Sequence, residues 1–204
     1  ADVMVWRCVF TNTFSGVGTH HVYEKASPVS GLTVSDCKFY DLDSYGVYAY
    51  GMRDFSITGN VISGGGIAFV RDGTGKVERN VSLRAPKFGV MFDGNSRVMF
   101  NDNRIETATD YGVRVEDSFI TASSNVVVNG KAHGVNIDGG AYRSFGDRVS
   151  RSLGHNVRAG ANTVLRLEGA NIGACVQDCH GVYVSGAHAS LIGTAIVAAG
   201  SAGI

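Results

Sequence analysis

Gly112-Val113-Arg114-Val115-Glu116-Asp117 is one of six copies of a short phrase in this chain. The others are Gly46-Val47-Tyr48-Ala49-Tyr50-Gly51, Gly66-Ile67-Ala68-Phe69-Val70-Arg71, Gly89-Val90-Met91-Phe92-Asp93-Gly94, Gly134-Val135-Asn136-Ile137-Asp138-Gly139 and Gly181-Val182-Tyr183-Val184-Ser185-Gly186. The first four steps between copies are 20, 23, 23 and 22 residues; the last is 47, room for two coils with a divergent one between. A second phrase keeps the same period. It sets Asn60, Asn80, Asn103 and Asn125 each before a short apolar run, with Cys8 and Cys37 in the equivalent place. Each unit therefore holds two or three short alternating strands separated by Gly, Asn, Asp and Ser turns. No window sustains helical apolar spacing. One such unit cannot bury its own apolar side chains, but a stack of them shares a continuous core. The reading is all-β, a solenoid of about nine coils of roughly 20–30 residues. At about 4.8 Å per coil the rod is roughly 40 Å long, and asparagines repeating in register form an internal ladder of side-chain amides.

Composition agrees. The 204 residues include 28 glycines and two prolines, and 44% are apolar, enough for a core and against wholesale disorder. Glycine follows no three-residue period, which excludes collagen. Eighteen basic and 18 acidic residues cancel, so neither nucleic acid nor an anionic membrane is an expected partner. No run is long and apolar enough for membrane insertion, and the N-terminus lacks a signal-peptide pattern. Both ends start and stop in strand-like sequence without a polar cap. Residues 1–204 thus read as a single domain cut from a longer chain.

In its repeat form and asparagine ladder the chain resembles, from about Val3 to Ile204, the right-handed parallel β-helix of the pectin lyase-like superfamily, which includes bacteriophage tailspike depolymerases. The resemblance implies the fold, a polysaccharide or cell-surface glycan as partner, assembly as a homotrimer, and an extracellular or virion-surface location. It does not reach a catalytic signature. Gly154-His155-Asn156 is not the Gly-His-Gly of polygalacturonases, and the calcium-binding aspartates of pectate lyases have no clear counterpart.

Alternation turns the first and third residues after each glycine inward and the second and fourth outward. The near outward column reads Tyr48, Ala68, Met91, Arg114, Asn136 and Tyr183; the far one reads Tyr50, Val70, Asp93, Glu116, Asp138 and Ser185. One coil back, in looser register, His21 and Tyr23 join them. Tyr23, Tyr48 and Tyr50 offer flat platforms for sugar rings, with His21, Arg114 and Asn136 as polar contacts. Asp93, Glu116 and Asp138 fall in consecutive coils. Carboxylates about 4.8 Å apart resist joint ionisation, which predicts a raised pKa for the central Glu116. A raised acid beside an ionised carboxylate is what glycoside hydrolysis needs, so these three are the candidate catalytic residues, with Arg114 to orient one. The plain alternatives are a splayed surface column or one that holds a cation such as Ca²⁺; no other cofactor is indicated.

The leading functional expectation is therefore an enzyme, a polysaccharide depolymerase of the hydrolase type. One rival is a uronic acid lyase or C5-epimerase, with His20, His21 or Tyr23 as base and Lys25 or Arg53 neutralising the substrate acid. The other is a structural or adhesive solenoid whose outward columns do no chemistry. The segment Tyr142 to Arg158 carries Arg143, Arg148, Arg151 and Arg158 and breaks the repeat. It reads either as an excursion lining a groove or as a coil in another register. Cys8 and Cys37 read as stacked thiols rather than a disulfide. Cys175, Cys179 and His180 fall short of four zinc ligands, and the lack of a disulfide framework suits synthesis in a reducing cytoplasm.

Overall fold

A computed structural model describes residues 2–19 and 30–197. These residues form short strands joined by turns, with no helix, and every strand pairing is parallel. The chain winds through three columns of strands. The first runs from Val17–Gly18 through Tyr45–Tyr50, Gly66–Arg71 and Val90–Asp93 to Val157–Ala159 and Val182–Val184. The second runs from Val3–Trp6 to His188–Ile192, and the third from Val9–Thr11 to Ala195–Ile196. In Val113–Ser123 and Val135–Phe145 the first and second columns join without a break. Eight rungs of the first column enclose seven complete turns. The stack is thus about seven turns, fewer than the nine coils expected, because the coils at its two ends are incomplete. Among the described residues no helix is long and apolar enough to cross a membrane.

The inward residues meet as expected. Val47, Val90, Phe92, Val113, Val115, Val135 and Ile137 are all buried in one core running the length of the stack. Each such side chain contributes about 1.5–3 kcal/mol relative to exposure. Beside this apolar column runs the amide ladder. Asn60, Asn80 and Asn103 each donate from backbone N–H and Nδ2 to Oδ1 of the next asparagine, at 2.9–3.1 Å. Cys37 sits at its start, donating its N–H to Asn60 Oδ1, and Cys8 and Cys37 remain free thiols. Sequence does not show its far end. There Asp147 replaces the asparagine, taking two bonds from Asn125 on Oδ1 and the Tyr142 hydroxyl on Oδ2, at 2.7–3.0 Å. An aspartate can accept but not donate, so the ladder stops at this rung.

Two expectations need correction, and one open alternative is decided. Aligning Gly46 with Gly66 put Ala68 and Val70 outside, but Tyr45 pairs with Gly66, Val47 with Ala68 and Tyr48 with Phe69. Ala68 and Val70 are buried, and Phe69 and Arg71 take the outward places. The cause is a bulge. The Ile67 N–H donates to the Gly89 carbonyl while Phe69 pairs with Met91, so Ile67 and Ala68 together lie against Val90. Of the two readings left open for the segment Tyr142 to Arg158, the structure gives the coil in another register. It supplies Arg148–Ser150 to the third column and Val157–Ala159 to the first, with Asn156 standing where other coils have glycine. Finally, Cys175 and Cys179 form a disulfide, closing the turn that leads into His180.

Candidate functional site

The outward face of the first column has two halves and a corner row. The row consists of the residue just before each corner: Tyr45, Phe88, Tyr111, His133, His155 and His180. From Phe88 onward these rings stack coil upon coil. Phe88 lies on Tyr111 at 5.6 Å between centroids, Tyr111 on His133 at 5.5 Å and His133 on His155 at 5.1 Å, with planes within 22° of parallel. His155 meets His180 edge-on at 5.1 Å and stacks on Tyr183 at 4.5 Å. Reading only the residues after each glycine misses this row. The signal was present, because five of the six repeat copies have Tyr, Phe or His immediately before their glycine.

Backbone geometry fixes the histidine tautomers. The His155 N–H donates to His133 Nδ1 at 3.0 Å, and the His180 N–H donates to His155 Nδ1 at 3.1 Å. Each of these rings must therefore be neutral with its proton on Nε2. Burial above all, then the neighbouring His155 and Arg158, pushes the His133 pKa down to about 4 against the pull of Asp138. Burial, His180 and Arg158 likewise lower that of His155. His180 ends the row, and its Nδ1 is buried with no hydrogen-bond partner among the described residues.

The acidic column forms in the expected register, since Glu116 pairs with Asp138 and the Phe92–Val115 pairing brings Asp93 level with Glu116. Each carboxylate has its own arginine. Arg71 lies 3.4 Å from Asp93, Arg114 Nε donates to Glu116 at 2.8 Å, and Arg158 donates to Asp138 at 2.8 Å and also to Asn136. Burial pushes the Asp138 carboxyl up, but hydrogen bonds from Asn136 and Arg158 and the charges of Arg158 and Arg114 outweigh it and hold it below its ordinary value. Arg71 and Arg158 entered the face through the bulge and the divergent coil, the two places where repeat alignment failed. Among the described residues no group of three or more His, Cys, Asp or Glu converges as a metal site.

The other half is apolar. Tyr45, Phe69 and Phe88 form a cluster of their own outside the solenoid core, with Tyr48, Met91 and Tyr111 packed against it. Arg114 marks the boundary, its guanidinium 5.4 Å from the Phe88 centroid and 5.2 Å from that of Tyr111. Tyr50 lies on the same face with Arg71 over its ring at 5.7 Å. Structure thus brings Tyr48, Tyr50, Asp93, Arg114, Glu116 and Asp138 to one face, while Asn136 beneath them is only 1% exposed, covered by its bonds to Asp138 and Arg158. Arg53 starts the second column, away from it. His20, His21, Tyr23 and Lys25 lie outside the described residues.

Comparison with known proteins agrees with this architecture. Residues 21–204 match the model of the right handed beta helix region. The chain belongs to that family. In fold this β-helix is similar to the periplasmic alginate epimerase AlgG. Against the T265N mutant it gives a TM-score of 0.52 at 14% identity, covering 97% of this chain and 62% of the other. The T265N T268M double mutant gives 0.52 and 14% over 99% and 62%. Bacteriophage CBA120 tailspike protein 3 is more distant, at 0.39 and 10% identity over 84% and 41%. The chain spans about half to three-fifths of the epimerase structures it matches. No curated protein matches it by sequence.

Proposed function

We propose that this β-helix binds an acidic polysaccharide along the first-column face and transfers a proton at C5 of a uronic acid residue, in the manner of a lyase or epimerase. The carrying observation is the row of neutral histidines beside Arg114 and Arg158. Removing a proton next to a carboxylate builds negative charge on that carboxylate, so the reaction needs a cation over the acid and an uncharged base. Arg158 acts electrostatically on both His133 and His155, and Arg114 lies over the Tyr111 ring of the same row. His133 and His155 have their Nδ1 lone pairs engaged, which leaves each an Nε2–H donor for substrate oxygens. His180 is different. With no backbone N–H on its Nδ1, it can carry its proton there and offer the Nε2 lone pair as base. Tyr183, 5.5 Å from His180 between centroids, is the second proton-transfer group. Loss of the C4 substituent after proton removal gives a lyase; return of a proton to the opposite face gives an epimerase.

The hydrolase reading keeps Asp93, Glu116 and Asp138 as its candidates. Asp138, held ionised, could serve there only as base or nucleophile. The proton-transfer reading is favoured because it uses the tautomers and the arginines as they stand. It also suits a protein working outside the cytoplasm, as its periplasmic fold neighbour does, and alginate is the first substrate to try. The test is incubation with alginate, pectate and neutral glycans in deuterated water. On a uronic acid polymer an epimerase is expected to leave deuterium at C5 with no ultraviolet absorbance, and a lyase to give absorbance from a C4=C5 unsaturated product that carries no hydrogen at C5. New reducing ends without either signal would transfer the role to the carboxylates. Binding without turnover would leave an adhesive scaffold.

A further inference from the structure

The apolar half of the face contains a depression of about 430 Å³, within the range of small-ligand sites, about 300–1,000 Å³. Phe69, Phe88 and Met91 line it, Tyr45 and Tyr48 stand beside them, and Lys87 and Arg114 complete its rim. Tyr45 is the telling residue. It is only 8% exposed, packed edge-on against Tyr48 at 5.9 Å and against Phe69 at 5.8 Å. Its hydroxyl makes no hydrogen bond among the described residues and Tyr45 lines the depression, so the O–H is free to donate to a ligand there. The cluster also lies outside the main core.

A bare sugar ring stacks its C–H face on an open aromatic platform, whereas this depression is lined by two phenylalanines, a methionine and a tyrosine hydroxyl. A ligand with a methyl group one bond from a carbonyl fits both features: the methyl packs on Phe69, Phe88 and Met91, and the carbonyl accepts the Tyr45 O–H. Lys87, with its ammonium 4.9 Å over the Phe88 ring, and Arg114 suit a sugar that is also acidic. We propose that this depression is a subsite for an acetyl group on the glycan, with Tyr45 its hydrogen-bond donor. The inference rests on the glycan reading of the face but not on proton transfer, because none of His133, His155, His180 and Arg158 lines it.

The test compares matched acidic oligosaccharides before and after mild alkaline deacetylation, by titration calorimetry. A second pair, N-acetylglucosamine and glucosamine, reads the pocket alone by saturation-transfer NMR of the acetyl methyl. The acetylated oligosaccharide should bind about tenfold more tightly, the scale of one hydrogen bond and a buried methyl. Tyr45→Phe should remove most of that preference and leave affinity for the deacetylated form unchanged. Phe69→Ala, outside the main core, should also remove it, with circular dichroism confirming the fold. Preference for ester-acetylated sugar with no signal from N-acetylglucosamine would assign the pocket to O-acetyl groups, and the converse to acetamido groups. Equal affinity for both members of each pair, or a preference untouched by both variants, would overturn the proposal. Arg158→Gln separates the two readings: it should abolish proton transfer and keep the acetyl preference.

Discussion

Two in-register columns run along this protein, one inside and one outside, and the same repeat builds both. The inner one, Asn60 to Asn125, closes on itself, with each amide bonded to its neighbours and Asp147 ending the row. The outer one, Phe88 to His180, also stacks and shares backbone bonds, but it ends in an unpartnered nitrogen and faces charged side chains. Stacking of coils gives a ladder wherever like residues fall in register; what separates structure from chemistry is whether the ladder is satisfied. A saturated polar column can only hold coils together. An unsaturated one beside arginines can hold something else.

The contrast breaks most visibly at the centre of the inner ladder. Asn103→Ala removes the acceptor for both the N–H and the Nδ2 of Asn80 and the donor for the carbonyls of Val77 and Asn101. The Asn80 N–H is left without its acceptor, while Nδ2 keeps the carbonyls of Ile57 and Glu78, so destabilisation of about 2 kcal/mol is expected, read as a lowered urea midpoint. An equal cut in the outer column should behave differently. Arg158→Gln breaks a partly exposed pair with Asp138, and its amide can still donate to the buried Asn136, so stability should move by less than about 1 kcal/mol. Turnover of a uronic acid polymer should nonetheless fall about 100-fold or more, the scale of losing one transition-state charge contact. Unchanged turnover would remove the arginine from the mechanism.

Acid tests the outer column without mutation. The His133 pKa is held near 4 in the fold and is about 6.5 when unfolded, so the unfolded chain takes up the proton first. The stability this neutral ring contributes is complete above pH about 6.5 and is lost as pH falls towards about 4. His133→Gln, whose carbonyl can still accept the His155 N–H, should flatten the denaturation midpoint over that window. Nitrogen-15 shifts of the wild-type rings should report the Nε2–H tautomer for His133 and His155. A ring of His133 that titrates near its unfolded value would undo the assignment.

Much of this was legible in the residues. The glycine and asparagine periods carry the fold, the inward column and most of the inner ladder, since a β coil has few ways to face its alternating side chains. The failures share one cause. Periodic reading assumes one residue per rung, and the bulge at Ile67 and Ala68 adds one, moving Phe69 and Arg71 outward. Asn156 in place of glycine hid the coil containing Arg158. The corner row escaped because its chemistry changes from phenyl to phenol to imidazole, although its geometry does not. Ion pairs between a carboxylate and the arginine of another coil need that corrected register before they can be seen at all.

The smallest effect belongs to the end of the inner ladder. Burial raises the Asp147 carboxyl above its ordinary value, and the bonds from Asn125 and Tyr142 only partly offset it. The folded chain therefore holds this proton more tightly than the unfolded one. Whatever stability the neutral acid provides is fully present below the unfolded value, near about 3.9, and is lost as pH rises through the folded one. Asp147→Asn keeps an acceptor for Asn125 and carries no charge. It should stabilise the protein modestly at pH 7, with the gain shrinking as pH is lowered until the two chains unfold at the same urea concentration. If the variant is instead weaker at every pH, the bond from the Tyr142 hydroxyl to Oδ2 matters more than the buried charge. The row would then end in aspartate for its acceptor capacity alone.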